Sequence, residues 1–280
     1  MPPSFRVILY WLARILFLCL LVPEPSFVQE LEEPPISRES IETRLKQFSS
    51  SNRERKATLL RLFREAGCRD RFLAEQVIGG EDLPNVICAL EGATDSVIIV
   101  GAHFDLTESG EGVVDNWTGA SLLPTLFESL RAHARLHTFV FIGFTEEERG
   151  LIGSKFYASR LTREQRAKTR AMVNLDTLGL SDTKVWASRA DPELLKALFG
   201  VADGLRLPLE IVNADRMGTA DSESFVKVKI PSITIHSLTE ETLPILHTAR
   251  DRWEAVQLDD YLKTCRLIAA YLAFLDTHLE

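Results

Sequence analysis

Six short apolar runs, each about the length of a buried strand, mark the middle and the second half of the chain. They are NVICAL, SVIIVGA, HTFVFIGF, AMVNLD, KVWAS and PSITIHS, at residues 85–90, 96–102, 137–144, 171–176, 184–188 and 231–237. Stretches with helical periodicity separate several of these runs, and another follows them at residues 258–279. Strands that alternate with helices are typical of a largely parallel sheet covered on both faces. We therefore predict an α/β fold, a three-layer α/β/α sandwich with a mixed, mainly parallel central sheet.

Patterns earlier in the chain predict a helix pair and a hairpin. Apolar residues recur from Ser40 to Gly67, as in two amphipathic helices that end at a glycine. The stretch RFLAEQVIGGEDLPNVICAL indicates an antiparallel hairpin. We find no second core and no internal repeat. Residues 41–280 are therefore expected to form a single domain, and residues 27–40, rich in Pro and Glu, a linker.

The first 26 residues are interpreted as a targeting segment and not as part of the folded domain. Their longest apolar run, Ile15 to Val22, has eight residues, whereas a membrane-spanning helix needs about 20. A signal peptide is favoured over an uncleaved N-terminal anchor or a structural helix. We expect an exported protein, either periplasmic or extracellular, and membrane contact only if residues 1–26 stay attached.

Charge and cysteine content exclude some functions. The 40 acidic and 32 basic residues give a net charge of −8. A chain with this acidic excess is not expected to present the basic surface that binds nucleic acid. Of the four cysteines, Cys19 lies in the targeting segment. Cys68 and Cys88 flank the turn at Gly79-Gly80, which is compatible with a disulfide, but buried free thiols are the favoured interpretation.

Polar side chains follow the apolar runs. In an open α/β sheet the ligand crevice lies beyond the carboxyl ends of the strands, so these side chains are expected to meet at one edge. The candidates are His103, Asp105, Asp115, Glu146, Glu147, Asp176 and His247. Glu148 and Arg149, which follow Glu147 in the sequence, are expected to form the solvated first turn of a helix.

Imidazole and carboxylate ligands without a thiolate suit zinc in an open catalytic site, with manganese or cobalt as alternatives. Two histidines and three carboxylates exceed what one tetrahedral catalytic zinc uses, and they suit two metals that share a carboxylate. His103 and Asp105 alternate in extended chain and point to the same side. Asp105 is therefore expected to orient the imidazole of His103.

Five elements in this order resemble the secreted di-zinc aminopeptidases of peptidase family M28, whose relatives include the glutaminyl cyclases. The elements are GAHFD, VVDNWTGAS, FTEEERGLIGS, VNLDTLG and LHTARD, and the resemblance covers about residues 85–280.

The resemblance implies roles for the candidates. One zinc would be held by His103 and Asp176, the other by Glu147 and His247, with Asp115 bridging. Glu146 matches the general base that takes a proton from the water between the metals, and Asp105 matches the acid that supports His103. The segment GTADSESF is similar to a degenerate Ser-Asp-His element of the family, with Ser222 in place of the histidine, and no role is assigned to Asp221.

The activity implied is hydrolysis of the N-terminal peptide bond of peptides or proteins. The alternatives are a glutaminyl-peptide cyclotransferase and a catalytically inactive binding domain, and the full set of ligand positions favours the peptidase. His133, His137 and His236 are expected to be structural, whereas Trp117 is equally suited to a pocket wall and to the core. The preferred N-terminal residue and the oligomeric state are not predicted.

Overall fold

The computed structural model of the protein describes residues 34–213, 215 and 218–279. The predicted targeting segment lies outside these residues. The strands are β1 (Leu73–Gln76), β2 (Asn85–Leu90), β3 (Val97–His103), β4 (Thr138–Phe144), β5 (Thr169–Leu175), β6 (Thr183–Val185), β7 (Leu209–Ile211) and β8 (Ser232–His236). The helices are α1 (Arg38–Leu45), α2 (Asn52–Glu65), α3 (Thr118–Arg131), α4 (Ile152–Arg160), α5 (Arg163–Lys168), α6 (Pro192–Leu205), α7 (Ser222–Val226) and α8 (Leu258–His278).

The described strands form one mixed sheet in the order β1-β2-β4-β3-β5-β8-β6-β7. The central strands β4, β3, β5 and β8 are parallel to one another. The hairpin β1-β2 joins β4 in antiparallel fashion at one side, and β6 runs antiparallel to β8 at the other. The predicted mixed sheet and hairpin are therefore confirmed. Strand β7 and helix α7 were not predicted, because segments of three and five residues carry too little periodicity.

Helices cover both faces of the sheet. On one face, Phe63 of α2 and Phe127 of α3 pack edge to face, and Phe127 does the same with Phe141 of β4. On the other face, Phe225 of α7 packs against Phe144 at the end of β4. Both faces of the central strands are buried, which explains why their sequences are continuous apolar runs. The three-layer architecture is confirmed.

The parallel arrangement brings the ends of four strands to one edge. His103 ends β3, Phe144 ends β4, Leu175 ends β5 and His236 ends β8. Because these strands are neighbours in the sheet, the residues that follow them are neighbours in space.

The helix pair predicted before the sheet is present, although it starts earlier than expected. Helix α1 begins at Arg38, inside the predicted linker 27–40, because the Ser37 side chain accepts a hydrogen bond from the Ser40 N–H. Helix α2 is followed by Gly67, whose φ of 100° belongs to the left-handed region that favours glycine. Among the described residues, no helix is both long enough and apolar enough to span a membrane.

A disulfide joins Cys68 to Cys88, so the prediction of free thiols was wrong for this pair. Cys68 follows the end of α2, and Cys88 lies within β2, where the two Cα atoms are 6.3 Å apart. The bond depends on how α2 packs against the hairpin, which residue spacing does not reveal. Cys265 is a buried free thiol.

Replacement of both Cys68 and Cys88 by alanine is expected to lower the free energy of unfolding by about 2–4 kcal/mol, because the unfolded chain regains the entropy of an open loop. Denaturant unfolding measures this loss. Reductant should bring the wild-type protein to the stability of the double variant and leave the variant unchanged. Equal stability of wild type and variant without reductant would contradict the assignment.

Candidate active site

A cavity of about 250 Å³ opens at the edge where the four strands end. Its polar wall comes from the loops after β3, β4 and β5 and from the segment after β8. The residues that line it are His103, Asp115, Glu147, Glu148, Gly150, Asp176, Thr177, Trp186, Gly218, Thr219, Ala220, Thr234, His236, Leu238, Leu246 and His247.

His103 lies at the bottom of this cavity, with 2% of its surface exposed. Its Nε2 atom is 3.2 Å from Oδ1 of Asp115 and 3.6 Å from Oδ1 of Asp176. Its Nδ1 atom is 3.2 Å from the backbone oxygen of Asp105 and 3.5 Å from its carboxylate. Burial lowers the pKa of His103, but the surrounding carboxylates outweigh burial and raise that pKa well above its usual value.

Asp115 is shared between two histidines. Its Oδ2 atom is 3.1 Å from Nε2 of His247, which also lies 3.1 Å from Oε2 of Glu148. These two carboxylates raise the pKa of the half-exposed His247 to about 10. Burial would raise the pKa of Asp115, but hydrogen bonds from both histidines hold it far below its usual value.

The loop after β4 presents two of its three consecutive glutamates to the cavity. The carboxylate of Asp105 accepts hydrogen bonds from the N–H groups of Glu147 at 3.1 Å and Glu148 at 3.2 Å, which fixes this loop against β3. Glu147 has a carboxylate oxygen within 4.8 Å of His103 and Glu148 ligand atoms. Burial is the main cause that raises the pKa of Glu147 to about 10, with Asp221 contributing and His103 opposing.

The structure separates Glu146 from the other candidates. Glu146 has a φ of 55°, and its carboxylate accepts a hydrogen bond at 3.0 Å from Arg149, which also binds Glu81 at 2.7 Å. Glu148, expected to be a solvated residue of a helix turn, occupies instead the place beside Asp115 and His247. Glu147 and Glu148, and not Glu146 and Glu147, are therefore the pair that faces the cavity.

The turn that carries Asp115 is held by residues that the sequence did not single out. The buried carboxylate of Asp251 accepts hydrogen bonds from the N–H groups of Val114 at 2.7 Å and Asp115 at 3.1 Å. The Asn116 side chain accepts from the Gly119 and Thr177 N–H groups and donates to the Leu175 oxygen. The peptide bond between Asp115 and Asn116 is cis. Asn116 lies in the element VVDNWTGAS and Asp251 in the element LHTARD. Both elements carried the family resemblance, and this was the signal from which the two residues could have been found.

Three other residues from the sequence analysis acquire defined surroundings. His236 is buried and neutral, since burial lowers its pKa to about 4; the Leu238 N–H donates to its Nδ1 atom and its Nε2–H donates to the Val212 oxygen. It is thus a structural histidine that also contributes to the cavity wall. Trp117 packs in the main core. Asp221 is 1% exposed, and burial raises its pKa to about 7.

His133 and His137 lie at the ends of elements, outside the cavity. His133 follows the end of α3, and His137 directly precedes β4. His137 Nδ1 is 2.9 Å from the backbone oxygen of Asp276, so a structural role agrees with its position.

The cluster has the composition of a site for divalent metal ions. Donor atoms lie within 4.8 Å of one another in three groups: His103, Asp115 and Asp176; His103, Glu147 and Glu148; Asp115, Glu148 and His247. Several buried carboxylates in mutual contact are costly without positive charge, and the buried Oε1 atom of Glu148 has no hydrogen-bond partner among the described residues. Imidazole and carboxylate donors suit zinc. His103, Asp115 and Glu148 each belong to two of the groups, so the three groups form one continuous cluster of donors.

Residues 85–272 match Peptidase family M28. Because this match covers more than half of the chain, the chain belongs to that family, and the resemblance predicted from its motifs is confirmed.

Two relatives illustrate the range of the family. Leupeptin-inactivating enzyme 1 of Streptomyces exfoliatus is 32% identical over 142 residues, which are 50% of this chain and 32% of that protein. Aminopeptidase Y of Saccharomyces cerevisiae is 35% identical over 88 residues, which are 31% of this chain and 16% of that protein. The chain thus spans a third or less of the length of these relatives.

Solved structures share the fold. The LapA aminopeptidase of Legionella pneumophila superposes with a TM-score of 0.74 at 21% identity, over 88% of this chain and 73% of that one. A zinc aminopeptidase from Bacillus subtilis gives 0.62 at 22% identity, over 67% and 49%. The glutaminyl cyclase of Porphyromonas gingivalis gives 0.66 at 18% identity, over 85% and 98%. The α/β architecture is therefore common to both types of enzyme.

The geometry predicts different metal contents for two neighbouring glutamate variants. Glu148→Gln is expected to reduce the bound zinc by about one ion per chain, because it weakens the group formed with Asp115 and His247. The matched control Glu146→Gln weakens an ion pair with the exposed Arg149, outside the three donor groups, and should leave zinc content at the wild-type value. Elemental analysis after dialysis measures both. Loss of zinc in the Glu146 variant alone would contradict this geometry, in which Glu146 lies outside the three donor groups.

Proposed function

We propose that this protein is a zinc-dependent aminopeptidase, an exopeptidase that hydrolyses the N-terminal peptide bond of peptides or proteins with two zinc ions per chain. The observation that carries the proposal is the sharing of Asp115 by His103 and His247, with Glu147 directed into the same cluster. The aminopeptidase names of several relatives support it.

The contacts suggest a division of ligands. His103 and Asp176 would hold one zinc, His247 and Glu148 the other, and Asp115 would contact both. When bound, zinc polarises the scissile carbonyl and makes water a better nucleophile at neutral pH. Compared with the roles inferred from sequence, Glu148 replaces Glu147 as a ligand.

Glu147 is the proposed general base in place of Glu146. Its carboxylate lies among the ligand atoms of His103 and Glu148 without being one of the proposed ligands, so it is placed to take the proton of the attacking water and pass it to the leaving amine. Asp105 fixes the position of this base through the Glu147 N–H, in addition to its contact with His103. Asp105 is therefore a positioning residue for both.

The rest of the cavity suggests the substrate's first residue. Beyond the acidic cluster, the wall includes the apolar side chains of Trp186, Ala220, Leu238 and Leu246, the neutral His236, and three threonines. The acidic cluster suits the positively charged α-amino group of a peptide. The apolar wall suits an uncharged, apolar side chain, because a charged one would lose hydration there without a counter-charge.

Glu147→Gln is expected to lower kcat by at least about a hundredfold, because general-base catalysis contributes roughly 10²–10⁴-fold, while zinc content stays at the wild-type value. Hydrolysis of leucyl-p-nitroanilide, with and without a chelator, measures the effect. Glu146→Gln is the matched control and should keep near wild-type kcat. Full activity in Glu147→Gln would remove this residue from the base role.

A panel of N-terminal residues tests the substrate preference. We expect kcat/KM for a leucyl substrate to exceed that for a glutamyl substrate by at least about tenfold. Leu246→Ala should reduce kcat/KM for the leucyl substrate more than for the alanyl substrate, since a lost hydrophobic contact is worth about 1–3 kcal/mol. Peptides with N-terminal glutamine belong in the same panel. Cyclisation of these peptides without hydrolysis of any other would identify a glutaminyl cyclotransferase, and metal-independent binding alone a non-catalytic domain.

We also propose that the protein is exported, as the composition of residues 1–26 suggests. The Cys68–Cys88 disulfide supports this proposal, because such bonds persist in oxidising compartments. Fractionation of cells that produce the full chain tests it, and recovery from the cytosol with both thiols reduced would contradict it.

A further inference from the structure

A fully buried arginine lies behind the acidic cluster on an element outside the family match. Arg55 belongs to the first turn of α2 and has no exposed surface. Its guanidinium group donates to backbone oxygens: Nε to Ser49 at 2.6 Å, Nη1 to Phe104 at 3.3 Å, and Nη2 to Gly112 at 2.8 Å and also to Glu111. Planar donors in a fixed fork allow one side chain to hold several carbonyl groups at once.

Three of these carbonyl groups, those of Phe104, Glu111 and Gly112, belong to the two loops that present the metal-site candidates. Phe104 lies between His103 and Asp105, and Gly112 directly precedes the helical turn that carries Asp115. Gly112 has a φ of 56°, and a Cβ atom there would lie 2.9 Å from Nη2 of Arg55. Glycine at this position therefore permits both the backbone conformation and the approach of the guanidinium group.

A second residue of the same helix turn, Asn52, forms a hydrogen bond with the loop that follows His103. The Asn52 side chain accepts a hydrogen bond at 3.0 Å from the N–H of Leu106, which follows Asp105. Asn52 and Arg55 are three positions apart and so lie on one side of α2. The start of α2 thus contacts the backbone of both the loop after His103 and the turn before Asp115.

The charge of Arg55 also matches its surroundings. Burial lowers the pKa of Arg55 to about 10, and the carboxylates of Asp251, Asp105, Asp115 and Glu148 oppose that effect, so the group remains a cation at neutral pH. Its guanidinium carbon lies 5.6 Å from the centre of the Trp117 ring, and Trp117 is two residues after Asp115 in the sequence. Hydrogen bonds to carbonyl groups hold this cation in place, and among the described residues no carboxylate forms an ion pair with it.

We propose that Arg55 is a positioning residue of the metal site, which fixes the loops of His103 and Asp115 in the geometry that binds zinc. The helix pair before the family match is then part of the catalytic apparatus. The inference rests on the proposed function, because it takes the cluster to be a zinc site. A residue that served stability alone would change the unfolding transition and leave zinc affinity unaltered.

The test uses the full chain and three variants: Arg55→Lys, Arg55→Met and Arg61→Met. Arg61 lies on the same helix, is exposed and pairs with Glu65, so it is the matched control for loss of a positive charge. Zinc affinity is measured by competition with a chelator, and the visible spectrum of the Co²⁺-loaded protein reports ligand geometry.

We expect Arg55→Lys and Arg55→Met to weaken zinc binding by at least about tenfold, the effect typical of residues that orient metal ligands, and to alter the Co²⁺ spectrum. Lysine keeps the charge but not the fork, so it should follow methionine and not the wild type. Arg61→Met should retain wild-type affinity. Wild-type zinc affinity in either folded Arg55 variant would overturn the proposal.

Asn52→Ala provides an independent test that keeps the buried cation. It removes the contact with Leu106 and is expected to weaken zinc binding by a smaller factor. If neither Arg55 variant folds, unchanged zinc affinity in Asn52→Ala would overturn the proposal. A wild-type chain that binds no zinc would instead reject the proposed function, and zinc binding without peptide hydrolysis would reject only the catalytic assignment.

Discussion

One buried carboxylate held between two imidazoles is the interaction on which the rest of the site depends. Asp115 contacts His103 through one oxygen and His247 through the other. These histidines come from β3 and from the segment after β8, which are far apart in sequence. The shared carboxylate therefore sets the distance between two parts of the fold. Asp251 fixes the position of Asp115, because its carboxylate accepts a hydrogen bond from the Asp115 N–H.

The parallel strands explain why so much negative charge collects at one place. Four adjacent strands end at the same edge, and each loop that follows delivers an acid or a histidine there. Such a group of buried carboxylates is unfavourable in an apolar environment unless cations offset it. The buried Arg55 supplies part of that positive charge, and a divalent metal would supply the rest.

Much of the fold and part of the site could be predicted from the sequence. Apolar runs located the central strands, and the rule that ligands bind at strand ends brought His103, Asp115, Asp176 and His247 together. The roles of the three consecutive glutamates could not be assigned from the sequence. The direction of each side chain depends on the left-handed backbone at Glu146 and on the hydrogen bonds that the Glu147 and Glu148 N–H groups donate to Asp105. Arg55 and the Cys68–Cys88 bond depend on how α2 packs against the sheet, which periodicity does not report.

The most direct test of the account is anomalous diffraction at the zinc absorption edge from crystals of the zinc-loaded protein. Two zinc positions are expected on either side of Asp115, one beside His103 and Asp176 and the other beside His247 and Glu148. A zinc ion coordinated by Glu146, or the absence of zinc from the cluster around Asp115, would contradict it.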